Sequence, residues 1–315
     1  MAILLVGNPM QEKTRKLFTV VVVVLIAYLL FCYFDIIPTN FDAIERSVGT
    51  GFGNGNNNGT HRFIMSEAIK QSGIPVIVVG TNRTVNAPEG ESTYWQTTIH
   101  TGETNFQILL NHIGDPDGFT LIGKHQEEHT AVPSTGLGLA PYMSQKFMNM
   151  AIESQQPDLK YLYLAWSMHY LSDLGMPLHT TYDISLQTSH TAIEDYIDTQ
   201  ITEYKPHLTY VTIAKQDVFD ACWGLANYSS QYARPIADNW NAGNYTAVDS
   251  ISISVLSQTI GYVSMSLASF NTATVKEIAK PFSIFLTLAY AFAIGLLLLL
   301  LLIVNYRARK EWKTL

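Results

Sequence analysis

Two uninterrupted apolar runs, residues 17–34 and 281–304, frame a long central stretch in which apolar side chains recur every three to four positions. Each run is long enough to cross a bilayer as a helix, which rises about 1.5 Å per residue through about 30 Å of hydrocarbon. Between them, the spacing predicts helices over 141–153, 159–173, 189–204, 213–232 and 248–273. A shorter helix over 64–71 is stopped by Gly73 and Pro75. The β-branched stretch 74–79 has strand character, but a lone strand would leave its backbone groups unpaired. Loops are expected at 80–92 and 114–139, and loops of that length in a compact domain often carry function. The glycine- and asparagine-rich stretch 49–60 closes a flexible lead-in over 35–60. The pattern predicts an all-α domain over 61–280 flanked by two transmembrane helices.

Charge orients this arrangement. Lys13, Arg15 and Lys16 precede the first run, and Arg307, Arg309, Lys310 and Lys313 follow the second. Both tails, 1–16 and 305–315, are therefore expected in the cytoplasm, with the domain outside the cell membrane. The first run reads as a signal anchor and not a cleaved leader, because residues 32–38 hold no small-x-small cleavage site. Residues 35–280 carry 12 Lys+Arg against 24 Asp+Glu, a formal charge of −12, which leaves no evident basic groove for a nucleic acid. Cys32 lies in the first run and Cys222 in the domain, so no disulfide within the chain is expected. Sequons at Asn58, Asn82, Asn227 and Asn244 suit a glycosylated surface outside the cell.

All nine histidines fall in the central domain. His169 and Asp173 stand at i and i+4 on one predicted helix, His179 follows the break at Gly175 and Pro177, and His190 and Glu194 repeat the i, i+4 spacing on the next helix. One such pair alone is more often a hydrogen-bonded pair than a metal site, but five donors within 26 residues change that weight. Catalytic zinc takes three protein ligands and an open position for water. His179, His190 and Glu194 make one such set, and His169 with Asp173 begins another.

The stretch from His169 to Asp183 (HYLSDLGMPLHTTYD), followed by SHTAIEDYID from Ser189 to Asp198, resembles the signature of the bacterial zinc-dependent phospholipases C, HYLGDxxxPxHA and then HxxxE. Upstream, Thr60-His61-Arg62-Phe63-Ile64 and the loop from His112 through Asp115-Pro116-Asp117 resemble two further landmarks of that family, in the same order. The resemblance covers about His61 to Asp198 and implies an all-α, zinc-dependent phospholipase C-like domain holding two or three Zn²⁺ ions. It implies one zinc on His179, His190 and Glu194, and a second on His112, His169, Asp173 and an acidic residue. That acidic residue lies upstream of the histidine in the family, and Glu103 is the nearest carboxylate upstream of His112, with His100 as a competing ligand. Glu103 would also orient or deprotonate the attacking water. His61 and bridging Asp173 would contribute to a third ion. The family completes that ion with an amino-terminal tryptophan, which the linker ahead of His61 does not supply.

Other residues read as structural. His125 and His129 share an i, i+4 spacing but lie in a polar run between Gly123 and Pro133, which predicts a solvated loop, and His207 is treated alike. Asp115 and Asp117 flank Pro116 as turn formers. Tyr161, Tyr163, Trp166 and Tyr170 are expected to pack around the His169 helix. Trp95, Phe106 and Tyr182 sit near candidate ligands, where an aromatic face meets a quaternary ammonium group. The expected function is a membrane-anchored zinc phosphodiesterase that cleaves phospholipid head groups. The alternatives are a single-strand nuclease-type enzyme of the same fold, or a non-catalytic, zinc-stabilised surface binding protein.

Overall fold

A computed structural model describes residues 59–121 and 124–278, together with Ile294 and Gly295. The chain divides into two units, 44–281 and the two flanking ends 1–43 and 282–315. The domain treated below belongs to the first. Apart from Ile294 and Gly295, both apolar runs, the two tails and nearly all of the glycine-rich lead-in lie outside the described residues.

The domain is mainly helical. Helices α1 (Thr60–Ser72), α2 (Asn105–His112), α3 (Asp115–Phe119), α4 (His125–Glu128), α5 (Ala140–Glu153) and α6 (Pro157–Asp173) form its first half, with strands β1 (Arg83–Asn86) and β2 (Gln96–Ile99) between α1 and α2. A 3₁₀ turn at Pro177–Thr180 leads to α7 (Ile184–Gln187), α8 (His190–Tyr204), α9 (Val218–Ser230), α10 (Ala233–Asn241) and α11 (Tyr245–Ser269).

Helix α6 is the axis of the domain. Every residue from Leu164 to Asp173 is buried, so this part of the helix has no solvent face and its polar residues must find partners inside. The short connection from Glu153 to Pro157 turns α5 back along α6, where Ser144 Oγ donates to the Ser167 carbonyl at 2.8 Å and Phe147 stacks on Tyr170. Trp166, Phe119, Phe147 and Trp95 complete an aromatic core with edge-on contacts at 5.0–6.2 Å. Tyr161, Trp166 and Tyr170 are packing residues, as their placement on the helix suggested. Helix α11 with its last turn, Tyr245–Thr272, is the one helix among the described residues long and apolar enough to cross a bilayer. Two thirds of its apolar window is buried in the domain, which makes it a core helix.

Two local expectations need correction, and the doubt about a strand at 74–79 holds. The segment expected as a loop at 80–92 contains β1, which pairs antiparallel with β2 in the register Arg83–Ile99 to Asn86–Gln96. The strands, RTVN and QTTI, are four residues long and hold one apolar residue each, too few to show a period-2 hydrophobic pattern, and this hid the hairpin. Residues 74–79 join no sheet among the described residues, and Val78 makes only an isolated antiparallel bridge with Thr104. Asn105 substitutes for a neighbouring strand, accepting from the Ile77 N–H and donating to the Pro75 carbonyl, both at 2.9 Å. Helix α9 begins at Val218, not 213, because Asp217 caps it by accepting from the Asp220 N–H.

Candidate metal centre

The donors converge because helix ends and loops meet at the carboxyl end of α6. Asp198 on α8 accepts hydrogen bonds from both the backbone N–H and the hydroxyl of Thr60, at 2.7 and 2.9 Å, and so pins the first turn of α1. The next residue, His61, enters the core beside His169, with ring centroids 4.3 Å apart. Asp173 ends α6, and the turn at Gly175 leaves no room for a Cβ, which would lie 2.1 Å from Thr259 Oγ1. That close approach turns the chain directly into the 3₁₀ segment bearing His179.

Four groups of three donors form among the described residues, the ligand atoms of each lying within 4.8 Å of one another. They are His179–His190–Glu194, His129–His169–Asp173, His61–Asp117–His169 and Asp117–His125–His129. In the first, His190 Nε2 and His179 Nε2 stand 2.9 and 3.2 Å from the same oxygen of Glu194. Around α6, His129 Nδ1 lies 2.7 Å and His169 Nε2 3.4 Å from Asp173 Oδ2, while His61 Nε2 lies 3.2 Å from Asp173 Oδ1. The Asp117 side chain is 1% exposed and faces His169 at 3.4 Å and His129 at 3.8 Å.

The hydrogen bonds behind three of these rings fix their tautomers. His179 Nδ1 meets the His129 carbonyl at 2.9 Å, and a carbonyl only accepts. Ser172 Oγ donates to the His169 carbonyl at 2.9 Å, which leaves its lone pair for His61 Nδ1 at 2.8 Å. Gln187 Nε2 donates to the Leu178 and Thr181 carbonyls at 2.8 and 2.9 Å, so its Oε1 is the atom facing His190 Nδ1 at 2.8 Å. Each Nδ1 therefore carries the proton of the neutral ring, and each Nε2 turns a lone pair towards a buried carboxylate oxygen. Lone pair facing lone pair at about 3 Å is repulsive unless a proton or a cation lies between them. Both buried oxygens of Asp117, and Asp173 Oδ1, accept no hydrogen bond of normal geometry. The donor set of histidines and carboxylates, the locked tautomers and these orphaned oxygens fit a dication such as Zn²⁺.

Electrostatics report the same demand for positive charge. Burial works to raise the carboxyls of Asp173 and Glu194, but the imidazoles of His169 and His129 around the first, and of His190 and His179 around the second, hold them well below the usual carboxylate range. Burial disfavours charge on His169, yet Asp173 and Asp117 outweigh it and raise the ring to about 9. His129 is driven down to about 3 by burial, with its neighbour His125 adding to the effect. A cation held between such rings and the carboxylates would take the place of the proton.

The sequence-derived residues divide accordingly. His61, His169, Asp173, His179, His190 and Glu194 all stand in these groups. His112 and Glu103 stand in none of them. His112 Nδ1 meets Asp115 Oδ2 at 3.0 Å and Thr97 Oγ1 at 3.1 Å. Glu103 lies nearer the surface, accepting from the His100 N–H at 2.8 Å and the Asn111 side chain at 3.0 Å, and His100 is exposed. Conversely, the pair read as a solvated loop is not one: His129 is 1% exposed and His125 stacks on it at 4.2 Å. Asp117 is likewise a buried donor and not a turn former, whereas Asp115 is spent on His112 and the Trp166 indole N–H. The signal for these residues was the His125–His129 spacing downstream of Asp117. Trp95 is part of the aromatic core, Phe106 lies on α2, and the Tyr182 hydroxyl meets Thr130 at 2.9 Å.

No protein-family model matches the chain, and no curated protein matches it by sequence. Among solved structures it is similar to the alpha toxin of Clostridium absonum, with 17% identity, a TM-score of 0.45, and coverage of 71% of this chain and 68% of the toxin. It is also similar to the alpha-toxin of an avian strain of Clostridium perfringens, with 16% identity, a TM-score of 0.48, and coverage of 70% and 66%. The chain thus spans about two thirds of each toxin's length.

Proposed function

We propose that this chain is a membrane-anchored, zinc-dependent phosphodiester hydrolase that cleaves phospholipid head groups in the manner of a phospholipase C. The observation that carries the reading is the set of three histidines whose Nδ1 protons are held by Ser172, the His129 carbonyl and Gln187, so that each Nε2 faces a buried carboxylate oxygen. Structural packing does not require three tautomers locked towards acids. A shared hydrolytic metal centre does.

His179, His190 and Glu194 would hold one ion, and His129, His169, Asp173, Asp117 and His61 the rest of the centre. In this reading Asp117 takes the acidic place first considered for Glu103. Zinc, when bound, supplies Lewis acidity and a water of lowered pKa for in-line attack at phosphorus. The chain's own residues do the remainder. The buried carboxylates set the charge of the floor, the tautomer locks aim each nitrogen, and the partly exposed residues His125, His190 and Tyr182 border the side from which a substrate enters. The resemblance from His61 to Asp198 supports a phospholipid as substrate, and the two apolar runs support a location at the bilayer with both termini in the cytoplasm.

The test is a side-by-side assay of the purified full chain on phosphatidylcholine and single-stranded DNA. Release of the head group is expected. Preferential cleavage of DNA would favour the nuclease reading, and bound zinc without hydrolysis of either would favour a binding protein.

A further inference from the structure

The metal centre makes no use of the four sequons, and the fold treats them unequally. An asparagine-linked glycan needs two groups presented together, the asparagine amide that is modified and the hydroxyl of the serine or threonine two residues on. At Asn58 and Asn227 the hydroxyl is withdrawn. Asn58 lies outside the described residues, but its partner Thr60 is 0% exposed and donates its hydroxyl to Asp198 at 2.9 Å, the contact that pins α1. Asn227 is exposed but lies within α9, where residues i and i+2 point about 200° apart round the helix axis. Its partner Ser229 therefore turns into the core and is 0% exposed. Asn82 and Asn244 are the reverse case. Asn82 is the one described residue other than glycine with a left-handed backbone, φ +59°, and it stands at the turn into β1. The pleat of β1 turns Thr84 outward, so both members of this sequon are exposed. Asn244 stands between α10 and α11 with a non-helical backbone, and it and Thr246 are both exposed. Its Nδ2 donates to Asn239 Oδ1 at 2.8 Å. An amide nitrogen carries two hydrogens and a glycan replaces one, so that bond is compatible with modification.

We infer that the folded domain carries N-linked glycans at Asn82 and Asn244 and none at Asn58 or Asn227. The inference rests on the placement of the domain outside the cell in the reading above, and not on the metal centre or on hydrolysis. The donor is an oligosaccharide joined through phosphate or diphosphate to a membrane polyprenol. The asparagine Nδ2 forms a bond to C1 of the first sugar, the bond from C1 to the phosphate oxygen breaks, and the lipid phosphate leaves with the electron pair. The displaced amide proton passes to a base of the transferase. A glycan at Asn244 would also cover the next residue, Tyr245, a ring that packs on Trp240 at 5.3 Å and that the fold leaves 47% exposed.

The test is peptide mass spectrometry of the full chain, purified in detergent from the cells that make it. Glycan mass is expected on the peptides holding Asn82 and Asn244, with the Asn58 and Asn227 peptides unmodified. Thr84→Val and Thr246→Val should each remove one glycan, while Thr84→Ser and Thr246→Ser should retain it, because only the hydroxyl is required. Helical circular dichroism controls for folding. A glycan on Asn58 or Asn227, or an unmodified Asn82 or Asn244, would overturn the inference. Protease added to intact cells separates the causes. Unmodified sequons on a domain that the protease digests overturn this inference alone, whereas unmodified sequons on a protected domain overturn the outside placement with it.

Discussion

Gln187 offers the most discriminating perturbation, because it touches no carboxylate and yet determines which nitrogen of His190 faces Glu194. Its Nε2 is fixed by the Leu178 and Thr181 carbonyls, and its Oε1 holds His190 Nδ1 at 2.8 Å. Gln187→Met keeps an unbranched side chain of similar length and removes all three hydrogen bonds. His190 then samples both tautomers and ring orientations. Partners of this kind typically contribute about 10–100-fold to metal affinity, or roughly 1.4–2.7 kcal/mol. Losing the two bonds to carbonyls costs a further ~1–3 kcal/mol of fold stability, which denaturant titration of the metal-free protein measures separately. The assay is competition for zinc against a chromophoric chelator, with His190→Ala as the variant that loses this ion altogether. A folded Gln187→Met protein that binds zinc as tightly as the wild type would refute the tautomer argument. The His190–Glu194 contact would then be a proton-shared ion pair.

Four further outcomes are expected. His169→Ala and Asp173→Asn should each lose zinc and nearly all hydrolysis while retaining helical circular dichroism, whereas His112→Ala should keep its zinc; metal analysis of the folded variants decides. Gly138→Ala should destabilise the domain by more than about 2 kcal/mol, because φ is +105° there and a Cβ would lie 2.2 Å from the Thr130 carbonyl; thermal denaturation measures the loss. Burial opposes ionisation of Asp158, but Thr81, Arg83 and the Leu159 N–H hold its carboxyl below the usual range. Its contribution to stability should therefore be full above about pH 4 and lost as pH falls through the lower folded value, so the stability gap to Asp158→Asn should narrow in acid. Protease added to intact cells should digest the central domain and spare both tails; protection of the domain would invert the topology.

The parts of this fold that were legible in the sequence are those with a period. The main helices show the three-to-four spacing, and α6 stood out because its donors sit at i and i+4 on a helix that the domain buries all round. His179, His190 and Glu194 were legible as a set because they follow within one turn and one helix start. Asp117 and His129 were not, because they lie on the segment from α3 to α5, which has no sustained repeat. Their burial is decided by Phe119 docking onto Trp95, Trp166 and Phe147, a contact between remote parts of the chain. For the same reason the spacing of His112 pointed inward, while the fold turns its ring to Asp115.

The most direct test of the central claim is hydrolysis of phosphatidylcholine by the full chain, measured as purified, after removal of metal by a chelator, and after return of zinc. The account predicts head-group release that disappears with the metal, returns with zinc, and is absent throughout in His169→Ala. Hydrolysis that survives complete removal of metal, or a zinc-replete protein that cleaves no phospholipid or other phosphodiester, would contradict it.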